Sequence, residues 1–209
     1  TSYSSPRSVY GNRSYLMVSG AYNNGHALGG DGYCYSWGRY SYGRLGTGDY
    51  SDVLTPKRVL GYRVCSYVSE GGQTGLQLVA ADGASWAWGS NTYGQLGIGD
   101  VSTRTSPVST LGNRSYTKVS ASYFATLWID GDGHMWASGY NGSGCLGLGT
   151  DTTPILSPMS VLGDIKVEQA SQGDTVTYAL EEGGTNLWAW GWNSSGCLGT
   201  GDTVSRTSP

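Results

Sequence analysis

A chain of 209 residues with 38% hydrophobic side chains can bury a core as one or two domains. A net charge of −3 and three lysines (57, 118 and 166) leave no basic stripe, which argues against a nucleic-acid partner. Glycine numbers 35, Tyr and Trp together 24 and charged residues only 13%, which excludes a disordered composition; no apolar run has the length of a membrane span and no signal-peptide pattern opens the chain.

The order of elements repeats four times. Each unit begins near a proline, at Pro6, Pro56, Pro107 and Pro158, in stretches such as Pro56-Lys57-Arg58-Val59. Proline suits the start of a strand or an edge strand, where its missing N–H costs no ladder bond. An apolar-Ser element follows: Met17-Val18-Ser19, Tyr67-Val68-Ser69, Lys118-Val119-Ser120 and Gln169-Ala170-Ser171. Next comes a short apolar run (His26-Ala27-Leu28, Leu76 to Val79, Thr126 to Ile129, Thr177 to Leu180) that ends in a turn. That turn is Asp31-Gly32, Asp82-Gly83 or Asp132-Gly133, and Glu181 to Gly184 in the last unit. Asp-Gly between apolar runs predicts a hairpin with a type I′ turn.

The strand after the turn alternates aromatic and small residues, as in Trp86-Ala87-Trp88 and Trp188-Ala189-Trp190, with both rings on one face. A Gly-x-Leu-Gly loop closes each unit; its opening glycines are Gly43, Gly94, Gly144 and Gly196. The period is therefore about 50 residues, within the range of propeller blades. Three or four short strands per unit, with no helix, cannot bury both faces alone, whereas radial stacking buries them. The fold class predicted is all-β: a β-propeller of four repeats, at approximately 6–55, 56–106, 107–157 and 158–208 within a single repeat domain spanning 1–209. A linear β-solenoid, with its shorter repeats, is the rival.

The succession Pro-x-x-Val, Val-Ser, His-x-Leu, Asp-Gly and Trp-x-Trp-Gly-x-Asn-x-Tyr-Gly-Gln-Leu-Gly-x-Gly-Asp resembles the regulator of chromosome condensation repeat. Trp86 to Asp100 is a close match, and the likeness runs from 6 to 208. The resemblance implies seven-bladed propellers whose loops bind macromolecules, in roles from small-GTPase exchange and chromatin binding to light sensing. Two departures bear on this. The unvarying spacing leaves no room for the wedge hairpin of an exchange factor, and no basic tail exists. There are also four repeats rather than seven. The chain reads either as a fragment of a seven-bladed ring, the favoured reading, or as a small four-bladed ring in which Pro6 to Val9 completes the last blade. With Thr as its first residue, it has lost a leader or is a piece of something longer.

Chemistry-bearing motifs are few. No nucleophile elbow, dinucleotide or phosphate-loop pattern occurs, so no enzyme activity and no cofactor are expected. His26 reads as a structural hydrogen-bonding residue and His134 as an exposed turn residue. Asp130-Gly131-Asp132-Gly133 has the opening of a calcium loop without its distal ligands, and turn chemistry explains it, so no metal is expected. Asp49, Asp100, Asp151 and Asp202 read as caps of their own glycine turns. Cys34, Cys65, Cys145 and Cys197 form no Cys-x-x-Cys pair and read as free buried thiols. Asn12, Asn113, Asn141 and Asn193 match the glycosylation acceptor pattern but recur at repeat-locked positions, as turn-forming Asn does.

Binding candidates are the variable loop tips: Tyr22, Asn23, Asn24, Gln73, Tyr123, Phe124 and Asp174 between the first two strands of their units, and Tyr40, Tyr42, Tyr93, Tyr140 and Trp192 after the Trp-Gly strand. Loops on a rigid scaffold carry function, and Tyr with Asn, Ser and Gly is a paratope-like mixture. The composition suggests a non-enzymatic module for a protein or glycan partner, or for self-assembly, displayed outside a cell or on a virion. The alternatives are an intracellular regulator of the exchange-factor type and a lectin-like propeller.

Overall fold

The computed structural model describes residues 5–59, 61, 63–72 and 76–209. Its strands form four antiparallel sheets, each a simple meander. The first holds β1 (Tyr15–Ala21), β2 (Asn24–Gly29), β3 (Cys34–Gly38) and β4 (Val53–Arg58). The second holds β5 (Cys65–Glu70), β6 (Leu76–Ala80), β7 (Ser85–Gly89) and β8 (Arg104–Ser109), and the third β9 (Tyr116–Ala121), β10 (Ala125–Asp130), β11 (Met135–Gly139) and β12 (Ile155–Ser160). The fourth holds β13 (Val167–Gln172), β14 (Val176–Glu181) and β15 (Leu187–Gly191), with Arg206 bridging to Gly191 where a fourth strand would lie. Pro56, Pro107 and Pro158 fall within β4, β8 and β12, the outer strand of each meander, where one edge has no partner to miss the proline N–H.

The Asp-Gly hairpins differ from the type I′ expectation. Gly32, Gly83 and Gly133 have φ of +80°, +84° and +85°, but none of Asp31, Asp82 and Asp132 has positive φ. In the second sheet the Gly83 N–H donates to the Ala80 carbonyl and the Ala80 N–H to the Ala84 carbonyl, which is a three-residue loop of a type I turn and a left-handed glycine. The side chain decides the type: the Asp82 carboxylate accepts the Ala84 N–H at 3.0 Å, and the Asp31 carboxylate the Tyr33 N–H at 3.2 Å.

Neighbouring sheets pack face to face. In the first seam Leu28, Cys34 and Val59 meet Cys65, Val68, Leu78 and Trp88. In the second, Val79 meets Tyr116, Val119 and Trp128; in the third, Leu127, Met135 and Leu146 meet Val167, Ala179 and Trp190. Trp88, Trp128 and Trp190 are completely buried, each worth roughly 4–6 kcal/mol by area removed from water. The polar bonds across the seams are worth about 1 kcal/mol each, so they set alignment rather than supply the bulk of the stability. They recur with the period. Ser19, Ser69 and Ser120 accept the N–H of Glu70, Ala121 and Gln172, each on the first strand of the next sheet. Thr126 and Thr177 reach back to the Gln95 and Cys145 carbonyls.

Among the described residues, no seam of this kind joins the first sheet to the fourth, and residues 6–9 form no strand. The four-bladed closure with Pro6 to Val9 as the last strand is therefore not formed. The edge of β15 is met by Arg206 instead, and the sheets make an open arc.

Candidate functional site

Strand polarity puts the β1–β2 type tips and the glycine loops at the same end of every sheet, and the Asp-Gly turns at the other. Three of the four glycine loops are built around an asparagine. Asn91, Asn141 and Asn193 are fully buried. Their side-chain carbonyls accept the Leu96, Leu146 and Leu198 N–H groups, each at 2.9 Å. Their amides donate to the far side of the loop, at Asp100, Thr150 and Asp202. Burial and these bonds account for Asn141 and Asn193 without a glycan, and Asn12 and Asn113 are exposed left-handed turn residues with φ of +46°.

The loops lean on the following sheet. A Cβ on Gly94 would stand 2.8 Å from the Ile155 carbonyl, and one on Gly144 2.5 Å from Thr207 Cα. Only glycine permits that approach. Asp100 and Asp202 close their own loops through Arg104 and Arg206; the Ser102 N–H and then Arg104 hold the Asp100 carboxyl below the usual carboxylate range, and Arg206 and then the Val204 N–H do the same for Asp202.

On this frame several predicted loop-tip residues converge. Phe124 is the hub: Tyr93, Tyr123 and Tyr140 surround it at ring-centroid distances of 5.1, 4.5 and 5.9 Å, and Tyr93 meets Tyr140 at 5.6 Å. Tyr93, Tyr123 and Phe124, with Ser90, Thr92 and Gln95, line a basin of about 300 Å³ open to solvent. Tyr22 and Tyr42 are exposed and flank Arg44, whose guanidinium carbon lies 5.7 and 5.3 Å from their ring centroids. The Tyr123 hydroxyl is held above its usual range by desolvation and by Tyr22, Tyr42 and Asp174, against the opposing charge of Arg44. These tips from the first, third and fourth sheets therefore share one electrostatic neighbourhood.

Other candidates lie apart. Asn24 is buried at the start of β2 rather than exposed at a tip, because its backbone is already in the ladder opposite Ala21 and Gly38. Tyr40 packs on Tyr50 at 5.6 Å. Asn23 and Trp192 are exposed without a ring contact to the cluster, and Gln73 lies outside the described residues.

Two features escaped sequence reasoning. Beneath the face, His26 bonds Ser36 at 2.8 Å, as a structural histidine should, but it also faces the Glu70 carboxylate of the next sheet at 3.6 Å, with both side chains fully buried. Arg44 lies close enough for Glu70 to oppose the effect of burial, which pulls the guanidinium below its usual range. Its signal was a departure within the repeat: Arg44 stands where other units have Gln95, Cys145 and Cys197. At the opposite end, Arg13, Arg63 and Arg114 lie over the rings of Tyr35, Trp86 and Trp136 at 4.7, 3.4 and 3.5 Å. The readable sign was an arginine two residues after Gly11, Gly61 and Gly112, where the fourth repeat has Ile165 after Gly163. Nearby, Asp130, Asp132 and the half-buried His134 cluster within 4.8 Å. The Asp130 carboxylate is already committed there, accepting the N–H groups of Asp132, His134 and the Trp136 indole, which is turn chemistry.

The model of the regulator of chromosome condensation repeat matches residues 31–75, 82–129, 132–180 and 186–209. The ultraviolet-B receptor UVR8 of Arabidopsis thaliana is 35% identical over 92% of this chain and 44% of its own length. The probable ubiquitin-protein ligase HERC3 of Homo sapiens is 29% identical over 88% of this chain and 18% of its own. Among solved structures, Saccharomyces cerevisiae Prp20p, described with its binding to Gsp1p and histones, superposes with a TM-score of 0.84 at 19% identity, covering 96% of this chain and 51% of Prp20p. Human WBSCR16 gives 0.81 at 24% identity, covering 93% and 51%; both likenesses are of fold. The chain thus spans about half the length of these relatives or less.

Proposed function

The chain belongs to the regulator of chromosome condensation repeat family, and from that premise we propose that it is a non-enzymatic propeller scaffold that binds other proteins through its glycine-loop face, inside the cell. The single observation that carries this is the convergence of Tyr93, Tyr123 and Tyr140 on Phe124, beside an open basin that Tyr93, Tyr123 and Phe124 line. Aromatic side chains offer large contact area at low conformational-entropy cost, and a rigid frame loses little further freedom on binding. Surface display, which the lysine-poor composition suggested, is not what the names of the more similar relatives point to. One is named as a light receptor, others as ubiquitin ligases, and one is described with histone binding; these favour an intracellular regulator.

The test is binding by the purified chain to proteins from the source cell, read with variants on opposite faces. Tyr123→Ala and Phe124→Ala are expected to abolish capture of a partner that Arg13→Ala retains. Equal capture by all three would refute the face assignment. A small-GTPase exchange role is the second reading, favoured by the likeness to Prp20p and disfavoured by the plain meander of every sheet and the unvarying repeat spacing. Direct binding to a nucleotide-free GTPase would move it to first place.

A further inference from the structure

The first seam brings together two cysteines from different repeats. Cys34 opens β3 of the first sheet and Cys65 opens β5 of the second; both are buried in one apolar cluster. The backbone clamps them. Tyr33 and Val64 form an antiparallel bridge, the Cys65 N–H donates to the Gly32 carbonyl at 2.8 Å, and the Val59 N–H to the Cys34 carbonyl at 3.0 Å. Both cysteines line one small cavity of about 10 Å³, room for roughly one water-sized molecule. Arg58 and Arg63 line it too, placed over the rings of Tyr33 and Trp86 at 3.8 and 3.4 Å. A thiol in an electropositive pocket beside a second thiol is the arrangement that favours oxidation.

We propose that Cys34 and Cys65 are an oxidisable pair that closes into a disulfide, stapling the first sheet to the second. Interaction with the Cys34 thiol and the charge of Arg63 lower the Cys65 thiol, whose Sγ–H donates to the Arg63 carbonyl at 3.3 Å, while interaction with Cys65 and burial raise the Cys34 thiol. Cys65 is thus the sulfur that reacts first. Its thiolate attacks one oxygen of hydrogen peroxide, the O–O bond breaks, and hydroxide leaves and is protonated to water, giving a Cys65 sulfenic acid. Cys34 then gives up its proton, its sulfur attacks the Cys65 sulfur, the S–O bond breaks, and a second water departs. The two thiols lose two electrons and two protons, and the peroxide becomes two waters. Cys145 is the internal contrast: like Cys65 it donates to a backbone carbonyl, that of Tyr140 at 3.2 Å, but burial pushes its thiol up to about 12.

The folded chain is treated with hydrogen peroxide, denatured, alkylated and mapped by mass. Expected is the loss of two of the four alkylatable thiols, one cross-linked peptide pair joining Cys34 to Cys65, and its reversal by dithiothreitol. Cys34→Ser and Cys65→Ser should each abolish the cross-link. Four alkylatable thiols after treatment, over-oxidised Cys65 without a cross-link, or a cross-link through Cys145 or Cys197 would each overturn the proposal. The map of the unsubstituted chain decides even where a serine variant fails to fold.

Discussion

Val18, Val68 and Val119 hold the same place in three successive repeats, yet Val18 is 73% exposed and the other two 3%. Leu187 is 69% exposed where Cys34, Ser85 and Met135, its counterparts in the other sheets, are 3–4%. The glycine loops agree: Gly94 and Gly144 are pressed against the next sheet, while Gly199 and Gly201 meet nothing within 4 Å. The two flanks of the arc and its three seams are thus built from the same sequence pattern and differ only in having a neighbour. A sheet of this kind buries one face against the sheet before it and one against the sheet after it, so stability is close to a sum over seams.

The sharpest way to break this comparison is at the tryptophans. Trp128→Ala, in the second seam, is expected to cost about 3–5 kcal/mol in denaturant unfolding. Trp37→Ala, half-buried on the first sheet, should cost less than about half of that. Equal losses would mean that the seams do not carry the stability.

A milder pair compares the valines directly. Val68→Ala or Val119→Ala should cost about 2 kcal/mol, from two lost carbons and a residual cavity. Val18→Ala should stay within about 0.5 kcal/mol. The difference would shrink if the flank were covered in solution, which equilibrium sedimentation would register alongside.

The loops extend the comparison to polar groups. Asn141→Ala leaves the buried Leu146 N–H without its acceptor and is expected to cost roughly 1–3 kcal/mol. Tyr40 occupies the corresponding place in the first loop, where its backbone N–H donates to Asp52 at 2.9 Å and its side chain packs on Tyr50. Tyr40→Ala should therefore cost less than Asn141→Ala in the same assay.

The smallest effect is in alkali. Burial in the second seam pushes the Tyr116 phenol up to about 12, above the ordinary value near 10 that applies when unfolded. The folded state favours the neutral phenol, so its contribution is complete below about pH 10 and is lost as pH rises through 12. Tyr116→Phe should flatten the fall in melting temperature over that window. An unchanged slope would place the alkaline sensitivity elsewhere.

Much of this molecule was legible without coordinates. The steps between Gly43, Gly94, Gly144 and Gly196, the paired tryptophans and the Asp-Gly turns specify four meanders, because strand alternation and turn chemistry are local. The candidate face was legible in part, since Tyr93, Tyr123, Phe124 and Tyr140 lie at tips that strand polarity alone puts at one end. What no local pattern could express is who meets whom. That Phe124 is the hub of the ring cluster, that Asn24 faces inward, and that Asp31 and Asp82 select a three-residue turn through a single carboxylate bond all depend on distances between atoms. The pairing of His26 with Glu70 and of Cys34 with Cys65 depends on the stacking of one sheet on the next, which joins residues 31 to 44 positions apart. Sequence alone determined the repeated unit, its strands and its loops, because those follow from short-range periodicity and backbone preference. The tertiary structure alone decided which repeat faces are seams and which are flanks, because burial is a property of a neighbour and not of the residue that is buried.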